Sequence, residues 1–257
     1  MTSAAANNPI DVMNAMLEAT ARAEDRHFWF RGLRRSAKIM LDAALNGRRL
    51  HRIVDCGSGT GRNLDWLRDY GAAVGVERSP SGLAVALAHG RPVVQGSVDA
   101  LPIASASADL ATSFDVLYCL PDAVEPVALA EMMRVLRPGG VALFNVAALD
   151  VLHGSHSTLT MELRRYTRAR LRTRLEAAGF VVERMTFTNC STFPMTLAVR
   201  VFDRWSGRVA KASDADLQLP AAPINAVLDL ALSAEAQLMR YVNLPIGTSL
   251  MCVARKA

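Results

Sequence analysis

The chain has 257 residues, of which 51% are hydrophobic and 21% are charged, and it carries a formal net charge of +5. This balance excludes a mainly disordered chain and fits one enlarged domain. Its most apolar stretches, 192–202 and 224–232, are interrupted by Arg200 and Asp229. They fall short of the roughly 18 uninterrupted apolar residues of a membrane span, so we expect no stable membrane insertion.

The cysteine pattern and the first residues bear on the compartment. The four cysteines lie far apart and form no Cys-x-x-Cys pair. We therefore expect no disulfide framework and no metal site, and a reducing cytoplasm is the default location. Residues 1–10 hold no basic residue and no apolar run, which predicts a polar leader and not a secretory signal.

Short apolar runs alternate with helical patterns along most of the chain. This alternation predicts a Rossmann-like α/β fold, with a mostly parallel seven-stranded sheet, an antiparallel last strand and helices on both faces. Two helices, 11–24 and 32–45, precede the sheet, and the aromatic segment His27–Phe30 joins them. The remaining elements, in chain order, are strand 52–56, helix 62–70, strand 72–77, a helix that begins at Ser79-Pro80, strands 93–96 and 108–114, helix 125–136 stopped by Pro138-Gly139-Gly140, strand 141–147, helix 167–178, and strands 180–187 and 249–254.

About 60 residues separate the last two predicted strands, where a hairpin needs two to five. The patterns 195–205 and 224–241 predict helices there. An insertion of this length is typical of a lid or a substrate pocket, although an added pair of packing helices is compatible with it. The chain is thus predicted to be one domain, with a helical cap (1–50), a cofactor-binding core (51–189), a helical insertion (190–247) and a last strand (248–257).

Six arginines fall within eleven positions, between Arg164 and Arg174. We interpret them as the solvated basic face of a helix. Phosphate binding needs such a patch, but the patch alone does not establish it. No aromatic-rich RNA motif or zinc-finger spacing accompanies it, so we predict no nucleic-acid partner.

The segment Asp55–Gly61 follows the first strand, with glycines at alternate positions that allow a tight turn and close approach of a ligand. The following helix is expected to offer free N–H groups. A P-loop is excluded because no Gly-Lys-Ser/Thr follows. The pattern Gly-x-Gly-x-x-Gly of dinucleotide sites fails because Arg62 stands where the third glycine belongs. Asp55 would repel a pyrophosphate and suits a ligand with a cationic amine.

Glu77 closes the second predicted strand. A carboxylate at that strand end binds both hydroxyls of a ribose. Glu77 by itself does not distinguish nicotinamide cofactors from other nucleosides, and by itself it is also compatible with a solvated acid.

Four segments together resemble the ordered motifs of class I S-adenosylmethionine-dependent methyltransferases. They are Asp55–Gly61, Glu77, Gly96–Pro102 and Arg134–Gly140, and the similarity spans about 52–147. The flanking segments 27–32, 164–167 and 245–250 resemble a bacterial subgroup of that superfamily.

The resemblance implies S-adenosylmethionine as cofactor and a role for each matched position. The glycines would line its methionine part, Asp55 would serve the turn and the amino group, and Glu77 would hold the ribose. Ser97 and Val98 would meet the adenine, and the Phe114 carbonyl would meet the amino group. The full set of candidate cofactor residues is Asp55, Gly57, Ser58, Gly59, Gly61, Glu77, Arg78, Ser97, Val98, Phe114, Trp29 and Arg34. The last two are placed over the carboxylate end, with a buried aromatic linker as the favoured role for Trp29.

Three positions depart from the subgroup. Ser97 stands where the superfamily often has aspartate, which weakens the adenine contact. Tyr118-Cys119 replaces Glu-His after Asp115-Val116-Leu117, and Glu162 replaces a histidine before Arg164. Because these positions are where substrates usually lie, the substrate of the subgroup does not carry over.

Methyl transfer from a sulfonium is an in-line displacement in which the protein aligns the partners and excludes water. A general base is needed only when the acceptor must lose a proton. The candidates are His153, His156, Tyr118 and Glu162, with Tyr166 nearby. For the histidines a surface-loop role is favoured, for Tyr118 core packing is an equal alternative, and Glu162 is expected mainly to form a salt bridge on a helix surface. Cys119 has no visible activating partner.

The acceptor is predicted from what the sequence lacks and from the insertion. No Asn/Asp-Pro-Pro-Tyr follows the fourth strand, which disfavours methylation of a planar amine. Apolar residues of the insertion, Phe193, Met195, Phe202, Trp205 and Met239, favour a small, partly hydrophobic acceptor under a lid. We therefore predict a small-molecule methyltransferase of bacterial secondary metabolism, a monomer or homodimer, with oxygen, nitrogen and carbon acceptors open. A non-catalytic cofactor-binding module, a nicotinamide-dependent oxidoreductase and a membrane-surface role for 190–205 remain as alternatives.

Overall fold

A computed structural model describes residues 9–153, 161–205 and 219–257. Its centre is a seven-stranded sheet in the order β3-β2-β1-β4-β5-β7-β6. Strands β1 to β5 are parallel, and β7 runs antiparallel to both β5 and β6. The predicted fold class is confirmed. The strands are β1 Arg52–Cys56, β2 Ala72–Glu77, β3 Val93–Gln95, β4 Ala108–Phe114, β5 Leu136–Ala147, β6 Phe180–Thr188 and β7 Ser249–Lys256.

Helices cover both faces of this sheet, and the apolar side chains between the layers form one continuous core. The helices are α1 Pro9–Ala23, α2 Phe28–Leu45, α3 Leu64–Leu67, α4 Pro80–Ala88, α5 Glu125–Val135, α6 Arg168–Ala177, α7 Phe193–Trp205 and α8 Ala222–Leu238. Short 3-10 turns occupy Leu117–Cys119 and Asp150–Leu152. Among these described helices, none combines the length and the apolar character that crossing a membrane requires.

The predicted bounds of two helices are wrong, one before the glycine-rich turn and one after it. The aromatic segment 27–30 is not a linker, because α2 begins at Phe28 and the His27 ring nitrogen Nδ1 caps it by accepting from the Trp29 N–H at 3.2 Å. The predicted helix 62–70 shrinks to the four residues of α3. Its flanks wind as tighter turns, in which the Leu64 N–H donates to the Gly61 carbonyl at 2.9 Å.

Pro138-Gly139-Gly140 was predicted to separate a helix from a strand, yet it lies inside β5. The pairing of β5 with β4 shifts there, from Leu136 opposite Ala108 to Val141 opposite Leu110. A bulge of this kind tolerates a proline that has no N–H to donate.

The strand order defines where a ligand would bind. The chain leaves β1 towards β2 on one side, while β4 lies on the other side of β1. In open α/β sheets such a reversal leaves a crevice beyond the carboxyl ends of the strands. The turn after β1 and the residues after β4 both border that crevice.

The helical insertion packs partly on the N-terminal part of the chain. Helix α8 lies against α2, where Asp229 pairs with Arg35 at 2.6 Å and Arg31 at 3.1 Å. The backbone N–H of Phe28 donates to the Asn225 side-chain oxygen at 3.0 Å. The packing-helix alternative therefore describes α8.

Candidate functional site

The turn after β1 depends on left-handed backbone at three glycines. Gly57, Gly59 and Gly61 have φ values of +78°, +54° and +71°, a region that side chains with a Cβ disfavour. The N–H groups of Gly57 and Ser58 both donate to the Val76 carbonyl, at 2.9 and 3.0 Å. This anchors the turn to β2.

Asp55, at the start of the turn, holds a buried carboxyl group. Only 1% of the residue is exposed, and Thr112 Oγ1 donates to its Oδ1 at 2.6 Å. Within the described part of the chain, its Oδ2 has no hydrogen-bond partner. Burial raises the pKa of this carboxyl to about 7. A buried carboxylate oxygen with nothing to accept from suits a cationic donor, so the site fits the amino group of the expected cofactor.

Glu77 ends β2 and reaches across the turn. Its Oε2 accepts from the Gly59 N–H at 2.8 Å and its Oε1 accepts from the Ser79 N–H at 2.7 Å. Each carboxylate oxygen keeps a further lone pair for a hydroxyl donor. Helix α1 covers this corner, since Ser79 Oγ donates to Asn14 at 2.7 Å and a Cβ at Gly59 would meet Leu17 at 3.1 Å.

Glu24 links Arg34 to the glycine-rich turn. Arg34 Nη2 donates to the Glu24 carbonyl at 2.7 Å, and the Glu24 carboxylate accepts from Thr60 Oγ1 at 2.8 and 3.0 Å. Burial, together with the nearby charge of Arg62, lowers the pKa of Arg34 to about 10. An anionic ligand would therefore stabilise the charged form of the Arg34 side chain. Trp29 packs edge-on against Phe30, 5.0 Å between ring centres, and against the core.

At the expected adenine position the structure adds a residue that sequence reasoning missed. Ser97 Oγ donates in a short hydrogen bond to the Asp99 carboxylate. The aspartate that the superfamily often has at the serine position thus stands two residues later, held by that serine. Val98 packs against the core, and Arg78, on the other rim, is exposed. The sequence signal for this missed residue is the acid that follows Gly96-Ser97-Val98.

On the far side of the crevice, Asp115 follows β4 in the left-handed region, at φ +61°. Its Oδ1 accepts from Asn145 Nδ2 at 2.9 Å, and its N–H donates to the Asn145 carbonyl at 3.0 Å. Burial raises its pKa to about 7, although hydrogen bonds from Asn145 and Tyr118 oppose the rise. Asp115 was not among the predicted site residues.

Tyr118 is 8% exposed and belongs to the core. Burial raises the pKa of its hydroxyl well above the usual value, which makes it a hydrogen-bond donor and a poor base. The neighbouring Cys119 has its pKa raised by burial too, so its thiolate is disfavoured.

The sequence predicted that Glu162 and the first two arginines of the basic cluster, Arg164 and Arg165, lie on a solvated helix surface. That prediction is wrong. These three residues precede α6 and are buried. Glu162 does form the expected salt bridge, to Arg165 at 2.6 Å, and Arg165 Nη1 donates to the Ala148 carbonyl at 3.0 Å. Arg164 reaches Glu125 at 3.3 Å, and Glu125 accepts from the Tyr166 hydroxyl at 2.7 Å. A sequence window cannot show that these charges are buried against residues distant in sequence, such as Leu117, Glu125 and Ala148.

A cavity of about 460 Å³ opens beside this cluster. Its lining is mostly charged or polar: Pro121, Asp122, Asp150, His153, Leu163, Arg164 and Arg170. His153 is exposed at its rim. His156 lies outside the described residues. Within those residues no group of histidine, cysteine and acidic side chains is arranged to hold a metal ion.

The apolar residues of the insertion do not line this cavity. Met195, Phe202 and Trp205 on α7 are 52%, 53% and 82% exposed, whereas Met239 is fully buried in the core. This cavity therefore gives the lid interpretation of these side chains no support.

The segment after β4 also touches the glycine-rich turn directly. A Cβ on Gly57 would come within 2.5 Å of the Val116 side chain, so the glycine lets the segment after β4 pack directly on the turn after β1. Phe114, whose carbonyl was predicted to meet the cofactor, ends β4 beside this contact and is 8% exposed.

Comparison with known proteins identifies the kind of protein that this chain is similar to. Residues 54–144, about a third of the chain, match the family model of a methyltransferase domain. A malonyl-[acyl-carrier protein] O-methyltransferase of Enterobacter lignolyticus is 36% identical over 150 residues, which cover 56% of this chain and 57% of the relative. The chain thus matches little more than half the length of that relative.

Solved structures agree in fold. A SAM-dependent methyltransferase of Thermotoga maritima aligns with a TM-score of 0.58 at 17% identity, over 96% of this chain and 99% of that chain. Phosphoethanolamine N-methyltransferase 2 of Haemonchus contortus, in complex with S-adenosyl-L-methionine, aligns with a TM-score of 0.54 at 16% identity, over 86% of this chain and 52% of that chain.

Proposed function

We propose that this chain, which belongs to the class I S-adenosylmethionine-dependent methyltransferase superfamily, transfers the methyl group of that cofactor to a small acceptor molecule. The observation that carries the proposal is the buried Asp55 carboxyl beside the glycine turn, whose Oδ2 accepts no hydrogen bond from the described residues. It gives the turn an acceptor for an ammonium group, which a pyrophosphate-binding turn would not have.

The residues around the turn would hold the cofactor as follows. Asp55 and the Phe114 carbonyl would accept from the amino group, Glu77 from the ribose hydroxyls, and Asp99, held by Ser97, from the adenine amine. Arg34 would face the carboxylate. When bound, S-adenosylmethionine supplies a methyl group made electrophilic by its sulfonium.

The acceptor would bind beyond the carboxyl ends of β4 and β5, where Asp115, Tyr118 and the charged cavity lie. The chain's part is to orient the acceptor atom and to exclude water. The exposed apolar side chains of α7 are available to a partly hydrophobic acceptor. His153 would contact the acceptor's polar end. A role in bacterial secondary metabolism and a cytoplasmic location remain part of the proposal.

A carboxylate acceptor is the second candidate. The relatives' name, malonyl-[acyl-carrier protein] O-methyltransferase, describes methylation of a carboxyl group, and Arg170 lines the cavity of this chain. Such an acceptor would need a cation to bind it and no base.

Calorimetry and methyl transfer test the proposal together. Purified protein should bind S-adenosylmethionine and S-adenosylhomocysteine but not NADH, and isotope-labelled cofactor should transfer label to a small molecule in a bacterial metabolite extract. Label found only in RNA or protein would contradict the small acceptor. Binding without any transfer would favour the non-catalytic alternative, and a response to NADH alone would overturn the assignment.

A further inference from the structure

Asp115, a partly exposed residue, lies at the far side of the crevice from Glu77. Asp115 is the first residue after β4, and the next residue, Val116, packs on Gly57 of the cofactor turn. Since the ribose is placed at Glu77 on β2, the reacting end of the cofactor would lie towards β4. Asp115 is the carboxylate that borders this end.

The surroundings of Asp115 hold its carboxyl group in one orientation. Asn145 fixes it twice, through Nδ2 to Oδ1 at 2.9 Å and through the backbone at 3.0 Å, and Tyr118 adds a hydrogen bond. A left-handed backbone at φ +61° is unfavourable for a residue with a Cβ, so these contacts maintain a strained position. Strain held by several contacts at the mouth of a cleft is a common sign of a functional residue.

Resting on the proposed function, we infer that Asp115 is the general base of the transfer, and that the acceptor is a hydroxyl or amine that loses a proton and not a carboxylate. The acceptor's lone pair forms a bond to the methyl carbon. The bond from that carbon to sulfur breaks and leaves its electron pair on sulfur. The proton of the acceptor moves to an oxygen of Asp115, which leaves a neutral carboxylic acid and a neutral thioether.

The charges near Asp115 favour this acceptor class. Tyr118 and Cys119 lie on the following turn, and burial keeps both protonated near neutral pH. Glu162 and Arg165 form an ion pair with each other, and Arg164 is paired with Glu125. Among the described residues, the groups that act on Asp115 are Asn145, Tyr118 and the acid Glu162, so a second carboxylate placed beside it would be repelled.

Sinefungin tests the inference without knowledge of the acceptor, because its amine-bearing carbon replaces the methyl-bearing sulfur. An ammonium there would meet the Asp115 carboxylate. Because Asp115 must give up its proton, the preference for sinefungin over S-adenosylhomocysteine should rise about tenfold from pH 6 to pH 8. Calorimetry in buffers of different ionisation enthalpy should also record proton release for sinefungin.

Variants separate a base from a structural residue. Asp115→Asn should abolish the pH dependence of the preference for sinefungin over S-adenosylhomocysteine, and it should still bind S-adenosylhomocysteine. The control is Asp69→Asn, which changes an exposed acid and should leave both the pH dependence and the binding as they are in the unmodified protein. Tyr118→Phe removes a hydrogen bond that favours the ionised form, so the midpoint of the pH dependence should move upward. It also serves as the second variant if Asp115→Asn does not fold.

The outcomes distinguish the two proposals. If S-adenosylhomocysteine binds but the ratio for the unmodified protein is flat between pH 6 and pH 8, Asp115 is not the base. An Asp115→Asn ratio that keeps the pH dependence has the same meaning. If neither compound binds, the proposed function fails and takes this inference with it.

Discussion

Each side of the crevice has one carboxyl group, but the surroundings of the two groups differ. Asp55 is 1% exposed, has one oxygen bound by Thr112 and has no partner for the other among the described residues. Asp115 is partly exposed and accepts from two side chains. Burial raises the pKa of both to about 7. In the proposed mechanism, the first carboxyl group accepts from the ammonium group of the cofactor, and the second takes a proton from the acceptor.

The sides also differ in how they are assembled. The cofactor side is mostly backbone of one turn and the end of the next strand. The acceptor side is built from side chains that are distant in sequence, and it includes the buried pair of Glu162 and Arg165, whose side chains are 3% and 8% exposed. Substitutions on the acceptor side should therefore act mainly on the free energy of unfolding, and substitutions on the cofactor side mainly on the affinity for the cofactor.

The largest effect is expected on the acceptor side. Arg165→Met takes the guanidinium from a buried Glu162, so urea denaturation should show a loss of about 4 kcal/mol in the free energy of unfolding. The same change in an exposed pair, Arg172→Met opposite Glu176, should cost less than about 0.5 kcal/mol. Adding Glu162→Gln to Arg165→Met should restore much of the loss. Equal losses of unfolding free energy in Arg165→Met and Arg172→Met would show that the pair of Glu162 and Arg165 is exposed to water in solution.

On the cofactor side, Asp55→Asn should separate binding from stability. The ammonium loses a buried anionic partner, so affinity for S-adenosylhomocysteine should fall about 100-fold in calorimetry. Stability should move the other way. Because burial raises the folded pKa above the unfolded value, the wild type loses stability as pH rises from about 4 to about 7, and the variant does not.

The variant should therefore melt at a higher temperature than the wild type at pH 8 and at a similar temperature at pH 4. Asp69→Asn serves as the control for both measurements. A variant that melts lower than the wild type at pH 8 would mean that the Asp55 carboxylate already has a stabilising partner.

Disturbing the contact between Gly57 and Val116 should have an intermediate effect on the free energy of unfolding. Gly57→Ala introduces both a left-handed alanine and a clash with Val116, for a loss of about 2 kcal/mol in the free energy of unfolding. Gly90→Ala has a similar φ of +65° but no atom within 4 Å, so it should cost only about 1 kcal/mol. Val116→Ala in the Gly57→Ala background should remove the difference. If both glycines respond alike, Gly57 and Val116 are not in close contact in solution.

This contrast also explains what could be predicted from the sequence. The turn, Asp55 and Glu77 are local patterns, so their order along the chain was enough to identify a family and a fold. Asp115 meets Asn145, and Arg165 meets the Ala148 carbonyl, only because β4, β5 and the segment before α6 converge in space. Nothing in a window around Arg165 indicates that it is buried, and its arginine-rich neighbours suggested the opposite. The left-handed backbone at Asp115 is likewise invisible before the strands are placed.

The smallest effect concerns the adenine end, where the sequence suggested a weak serine contact and the structure offers Asp99. If Asp99 accepts from the adenine amino group, an analogue with a 6-oxo purine should bind the wild type about tenfold more weakly than S-adenosylhomocysteine. Asp99→Asn, whose amide offers a donor in place of one acceptor, should reduce that preference. Ser97→Ala only releases the carboxylate that it positions, so it should cost about threefold in affinity and keep the preference. Loss of the preference in Ser97→Ala but not in Asp99→Asn would make the serine the direct contact, as the sequence alone suggested.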